Sequence, residues 1–202
     1  MMSLLLKIMK RIILVVSHLG AGSASLCYCL AQTDIIQWIQ DGIIYDDPLI
    51  ATEALLSVKH KYSNSVGLYI NEVLYNYQIS HKQIYQFCEI VYLIRDPKSS
   101  VKILKPKDAE YALDYYIFRL RRIYEMAKET KGAVFLTWDN LINKKGLHLL
   151  TNKLNISNSF QFKEFKSDKQ YFDLPKSLLT KAEQAYELCL YRVKNNAQVV
   201  MC

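Results

Sequence analysis

Glycine and proline are scarce, six and four among 202 residues. That argues against a long linker, a low-complexity tract or a repeat of collagen type. The five cysteines (Cys27, Cys29, Cys88, Cys189, Cys202) are an odd number with no framework spacing, so no disulfide scaffold is expected. Cys27 and Cys29 stand two apart in a predicted helix and point in different directions. They do not make a zinc pair, and they read as small buried apolar residues in a reducing compartment. No apolar run approaches the roughly 20 residues that a membrane span needs. "MMSLLLKIMKRIILVV" is apolar, but Lys7, Lys10 and Arg11 interrupt it before it reaches the length of a signal peptide. The four histidines (His18, His60, His81, His148) show no H-x-x-x-H spacing and no carboxylate set, so no metal is expected. The 15 tyrosines are scattered without an RNP-type motif, so nucleic acid is not the expected partner. No internal repeat is visible.

What the chain does have is core material. Hydrophobic residues make up 51% and charged residues 22%. This suits one domain over residues 1–202, with 1–10 expected as a flexible start. The net charge of +7 suits a polyanionic partner without choosing among nucleotide, nucleic acid, sulfated glycan and membrane surface. A cytoplasmic location is expected.

Hydrophobic runs and helical periodicity alternate along the chain. "RIILVV" (11–16) is a β-branched run of the kind covered on both faces in a parallel sheet. Residues 23–32 read as a helix. A loop joins "IIQWIQDGIIYDDP" to a helical segment at 49–60. "SVGLYI" (65–70) is a strand candidate, and 72–87 is helical. "CEIVYLI" (88–94) is a strong strand ending in "RDP". Residues 108–131 form a long helix, with Ala112, Tyr115, Tyr116, Leu120, Ile123 and Ala127 at steps of three and four, and Gly132 as its stop. "AVFLT" (133–137) is a third strong strand. "WDNLINKKGLHLLTNKL" is mostly helical, and 174–195 is the last helix, with Pro175 near its first turn. Strands alternating with helices predict a three-layer α/β/α domain with a mostly parallel central sheet. Ligands bind beyond the carboxyl ends of such strands.

Two loops fall at those ends. In "SHLGAGSAS", Gly20 and Gly22 allow positive φ and close approach of a ligand, and Ser23 or Ser25 can cap the following helix. The free N–H groups of that helix's first turn favour an anion. The loop has no lysine, so a Walker loop and a nucleotide kinase are disfavoured. The G-x-G-x-x-G pattern is also incomplete, because Ser25 stands where the third glycine belongs. In "VYLIRDPKSSV", Arg95 stands where the strand ends, and Asp96 and Pro97 force a turn. A guanidinium there can grip a phosphate with two hydrogen bonds; the competing reading is an ion pair with Asp96 or a helix carboxylate.

Together these loops resemble the PAPS-dependent sulfotransferases, which use 3′-phosphoadenosine-5′-phosphosulfate and have a P-loop NTPase-like fold. "IVYLIRDP" is similar to their strand running into R-D-P. "GAVFLTWDNLI" resembles their later strand and turn, with Trp138, Asp139, Asn140 and Leu141 in the turn positions. "LHLLTNKLNIS" and "LLTKAEQAYELCL" resemble the helices that follow. The resemblance covers residues 12–190 in order. It implies transfer of a sulfuryl group from PAPS to a hydroxyl or amine acceptor. It also implies that Gly20, Gly22, Ser23, Ala24 and Ser25 cradle the 5′-phosphosulfate and that Arg95 binds the 3′-phosphate. Two positions depart from the family pattern. Ala21 stands where a loop cation is usual, and Ile103 where a serine on the 3′-phosphate is usual. Ser99 and Ser100 are candidate substitutes for that serine. His18 is the candidate cation of the loop, and His18 and His60 are the candidate catalytic histidines. The alternative expectation is a non-catalytic binding or structural module that keeps the fold.

Two further features have bland and functional readings. Lys98, Lys102, Lys105 and Lys107 form a solvated loop or a rim that attracts anions. Arg119, Arg121 and Arg122 span part of one helical turn and cannot all face one ligand.

Overall fold

The computed structural model describes residues 12–18, 20–30, 36–39, 65–70, 88–101, 109–143, 145–155, 174–194 and 200–201. The β-branched run forms β1 (Ile12–Ser17), and the Gly/Ser loop leads into α1 (Ser23–Leu30). Then come β2 (Ile36–Ile39), β3 (Ser65–Ile70) and β4 (Cys88–Ile94). A short helix α2 (Pro97–Val101) precedes the long helix α3 (Ala109–Glu129). β5 (Val134–Thr137) runs directly into α4 (Trp138–Ile142), followed by α5 (Lys145–Leu154), α6 (Lys176–Lys194) and β6 (Val200–Met201).

The six strands lie in the order β2-β3-β1-β4-β5-β6, and every pair is parallel. β1 is therefore central, as its unbroken apolar run requires. Ile13, Val15, Val91, Leu93, Val134 and Leu136 point to one face, where they pack with α1, α4 and α5. Leu14, Val16, Ile90, Tyr92, Ile94 and Phe135 point to the other, where they pack with α3 and α6. This period-two alternation gives each strand two buried faces, so the strands read as continuous apolar runs.

The long helix buries Ala112, Leu113, Tyr116, Leu120, Ile123 and Ala127, a stripe at steps of three and four. It ends where Thr130 Oγ1 donates to the Met126 carbonyl at 2.8 Å and meets the Tyr92 hydroxyl at 2.8 Å. Gly132 follows with φ 73°.

Besides the two-residue β6, which the sequence reading did not contain, two elements differ from it. "IQWI" is a strand where the sequence reading assigned no element; its four residues are too few to show a period against the polar stretch beside them. "PKSSV" is a helical turn, started by Asp96 through its Oδ1, which accepts from the Ser99 N–H at 2.8 Å. The helical expectations at 49–60 and 72–87 lie outside the described residues. Among the described residues no helix is long and apolar enough to cross a membrane.

Candidate functional site

The strand order reverses between β1 and β4. The chain leaves β1 through α1 toward the β3 and β2 side, and leaves β4 through α3 toward the β5 and β6 side. The two helices cover opposite faces, so a crevice opens between the carboxyl ends of β1 and β4. Register pairs Ser17 with Leu93, so the Gly/Ser loop and the R-D-P turn leave the sheet side by side.

In the loop, Gly20 and Gly22 have φ 78° and 91°. At Gly22 a second constraint applies, because a Cβ there would lie 2.0 Å from Cζ3 of Trp138. The first intrahelical bond runs from the Leu26 N–H to the Gly22 carbonyl, 3.1 Å. The amides of Gly22, Ser23, Ala24 and Ser25 thus make up the first turn of α1, ahead of its first intrahelical bond. Ser23 and Ser25 are buried at the helix start. Ala21 faces the other way. Its methyl is fully buried and packs in the core cluster with Leu26 and Trp138.

Arg95 lies just past the end of β4, with its guanidinium stacked on the Trp138 ring, 4.4 Å from the centroid. The same ring covers Gly22, so Trp138 joins the two loops that the sequence analysis paired. Thr137 holds Trp138 at the start of α4 by accepting the Asn140 N–H through its hydroxyl. Asp96 is occupied as the cap of α2.

The backbone of Arg95 is fixed from three directions. Its N–H donates to Nε2 of His18 at 2.9 Å. Its carbonyl accepts from the Tyr116 hydroxyl at 2.7 Å and from Ser100 Oγ at 3.4 Å. Burial pushes the Tyr116 phenol far above its ordinary value, with Tyr186 and Asp96 adding to the rise, so it remains a donor. Tyr186, on α6, is raised chiefly by burial and then by Asp139 and Asp96.

These contacts revise the roles expected of three residues. His18 is fully buried, and its ring meets Tyr116 edge-on at 4.7 Å. Because Nε2 accepts a hydrogen bond it carries no proton, and the neutral tautomer has its hydrogen on Nδ1. In this geometry His18 ties β1 to β4 and is not a loop cation. Ser100 is buried and donates to the Asp96 carbonyl at 2.7 Å, so its hydroxyl shapes the turn. Ser99 contributes its N–H to the Asp96 cap, and its side chain is half-buried. His60 and Ile103 lie outside the described residues.

One residue near the site was named from sequence only as one of three clustered arginines, with no role in the site. Arg119 is fully buried, and its Nε donates to the Ser17 carbonyl at 3.0 Å, directly beneath the loop. It falls at i+3 from Tyr116 and i+7 from Ala112, inside the buried stripe of α3, and that spacing was the available signal. Arg121 is exposed and Arg122 half-buried, so only one of the three arginines faces inward. Ser17 Oγ is buried with no hydrogen-bond partner among the described residues.

Lys98 is exposed, and the other lysines of its run lie outside the described residues. Among the described residues no group of three His, Cys, Asp or Glu is placed to hold a metal ion. No protein-family model and no curated protein matches this chain.

Proposed function

We propose that the crevice binds the nucleotide PAPS and that the protein is a sulfotransferase-like member of the P-loop group of folds. The observation that carries this reading is the meeting of three features at the strand-order reversal. They are the helix start after β1, a guanidinium after β4, and the Trp138 ring that touches both. A nucleotide with an anionic group at each of two positions, placed there, would set its 5′-phosphosulfate on the amides of Gly22, Ser23, Ala24 and Ser25. Its 3′-phosphate would meet Arg95.

In sulfuryl transfer the acceptor oxygen or nitrogen bonds to sulfur while the bond from sulfur to the 5′-phosphate oxygen breaks. Negative charge gathers on that leaving oxygen, and fixed N–H donors there lower the barrier. The acceptor's proton passes to a base. The His18 lone pair at Nε2 is engaged by the Arg95 amide, which leaves His60 as the remaining candidate base.

A second reading, a non-catalytic nucleotide-binding module, is favoured by one observation. The segment 17–25 carries no Lys or Arg, and His18 accepts a hydrogen bond where a cation would be needed. Binding tolerates that loss better than chemistry does, because the missing charge acts mostly in the transition state.

Thermal denaturation with adenosine 3′,5′-bisphosphate tests the binding reading. Ligand at 100 times its dissociation constant stabilises by about 2.7 kcal/mol. Arg95→Ala should abolish most of the shift while changing the ligand-free melting temperature little. No shift at millimolar ligand removes PAPS from this site. Transfer of sulfate from PAPS to a panel of phenols and amines then separates enzyme from binding module.

A further inference from the structure

The α3 and α6 layer carries a groove on its outer side, away from the crevice. It has a volume of about 290 Å³. The two helices run in the same direction, since Cys189 Sγ lies 3.9 Å from the Leu120 carbonyl and Arg192 stacks 4.9 Å from the Tyr124 ring centroid. Ile117, Ala185 and Leu188 supply an apolar lining, and buried Cys189 lies between them and the core. Arg121, Lys181 and Arg192 line it as well, and among the described residues no lining side chain is a carboxylate. Among the described residues an ion pair on this side joins Lys128 to Glu125, neither of which lines the groove. The lining Leu188 is 47% exposed, and apolar surface continues beyond the groove at Tyr191, 67% exposed.

We infer that this groove docks an acidic amphipathic helix of a partner protein, its apolar stripe on the Ile117, Ala185 and Leu188 surface and its carboxylates on Arg121, Lys181 and Arg192. The placement of charge decides the kind of occupant. Lys181 and Arg192 stand at opposite ends of the α6 wall, about 16 Å apart along the helix axis. Arg121 lies between those levels on the α3 wall. An amphiphile with one anionic head satisfies one end only. A helix of three turns spans the whole length, with apolar anchors at i, i+4 and i+7 and acids flanking them at both ends. Such an occupant also covers Tyr191, which lies outside the lining and which a small ligand in the groove leaves in water. A second copy of the chain is disfavoured, because its net charge is +7 and it would bring cations to cations.

The probe is a fluorescein-labelled synthetic peptide of about four turns, with Leu at i, i+4, i+7 and i+11 and Glu at the flanking positions. Fluorescence anisotropy should show saturable binding to the full chain, weakened by salt. A counterpart with Lys for every Glu should not bind. The double variant Arg121→Glu/Arg192→Glu should weaken binding about tenfold or more. Leu188→Gln, at an exposed position, should weaken it without changing the melting temperature, which covers the case in which the double variant folds poorly. The inference is overturned if the Glu peptide fails to bind at about 100 µM protein, or if both peptides bind alike. It is overturned equally if laurate binds this groove and displaces the peptide from none of it, or if the chain self-associates through this face in sedimentation.

Discussion

Replacing Gly22 by alanine tests the meeting of the two loops at its narrowest point. Two costs arise. The residue holds φ 91°, and a side chain in such a conformation costs about 1–3 kcal/mol. The new Cβ would also lie 2.0 Å from a ring carbon of Trp138, far inside contact distance. Trp138 is 4% exposed and packed between the loop, Arg95 and the core, so it cannot swing into solvent cheaply. Overpacking of this kind adds about 1–3 kcal/mol. The expected loss is the sum, about 2–6 kcal/mol. Urea denaturation followed by fluorescence measures it. A double-mutant cycle with Trp138→Leu divides it, since the smaller side chain relieves the clash and leaves the backbone strain. Gly22→Ala should therefore cost about 1–3 kcal/mol less in the Trp138→Leu background. An equal cost in both backgrounds would refute the contact between Trp138 and the loop, and with it the link from Gly22 to Arg95.

Three other outcomes are expected. Ala21→Lys should not restore a loop cation but should destabilise by about 3–5 kcal/mol, because position 21 faces the core and the charge would have no partner there; an unchanged melting temperature with tighter binding of the bisphosphate would contradict this. Arg119→Met should cost about 1.5–3 kcal/mol by removing a charge-assisted bond to the Ser17 carbonyl, and a loss below about 0.5 kcal/mol in urea denaturation would make that bond incidental. Burial pushes the thiols of Cys27 and Cys189 up from 9.0 to about 12, so the unfolded chain releases these protons first. Stability should then be level below about pH 9 and fall by about 1.4 kcal/mol per pH unit for each thiol toward pH 12; Cys27→Ala should flatten that alkaline slope, and an unaltered slope would count against the buried thiol as its cause.

The parts of the fold that bury two faces were legible in the sequence. "IILVV", "CEIVYLI" and "AVFLT" had to be strands covered on both sides, and the stripe on 108–131 had to be a helix facing them. The "IQWI" strand and the "PKSSV" turn were not legible, because four or five residues carry too little periodicity and their signals come from pairing and capping. At the site, the glycines and Arg95 could be placed from the ends of the strands. The direction of Ala21, the occupied Nε2 of His18 and the burial of Arg119 depend on three-dimensional neighbours. Position 21 is two residues from the helix start, and nothing in the local sequence says that its methyl belongs to the core. Trp138 was assigned to a turn, but its contact with Gly22 joins residues 116 positions apart, beyond any local rule.

The anchoring of Arg95 separates two kinds of position within a few ångströms. Its peptide unit is held by His18, Tyr116 and Ser100, none of which touches its side chain through those bonds. The group at 95 can therefore be exchanged, for lysine, glutamine or a small residue, without moving the frame that presents it. His18 has no such freedom, because its contribution is the ring nitrogen itself. Variation in what the crevice recognises is thus open at position 95, whereas position 18 is committed to keeping the crevice in one piece.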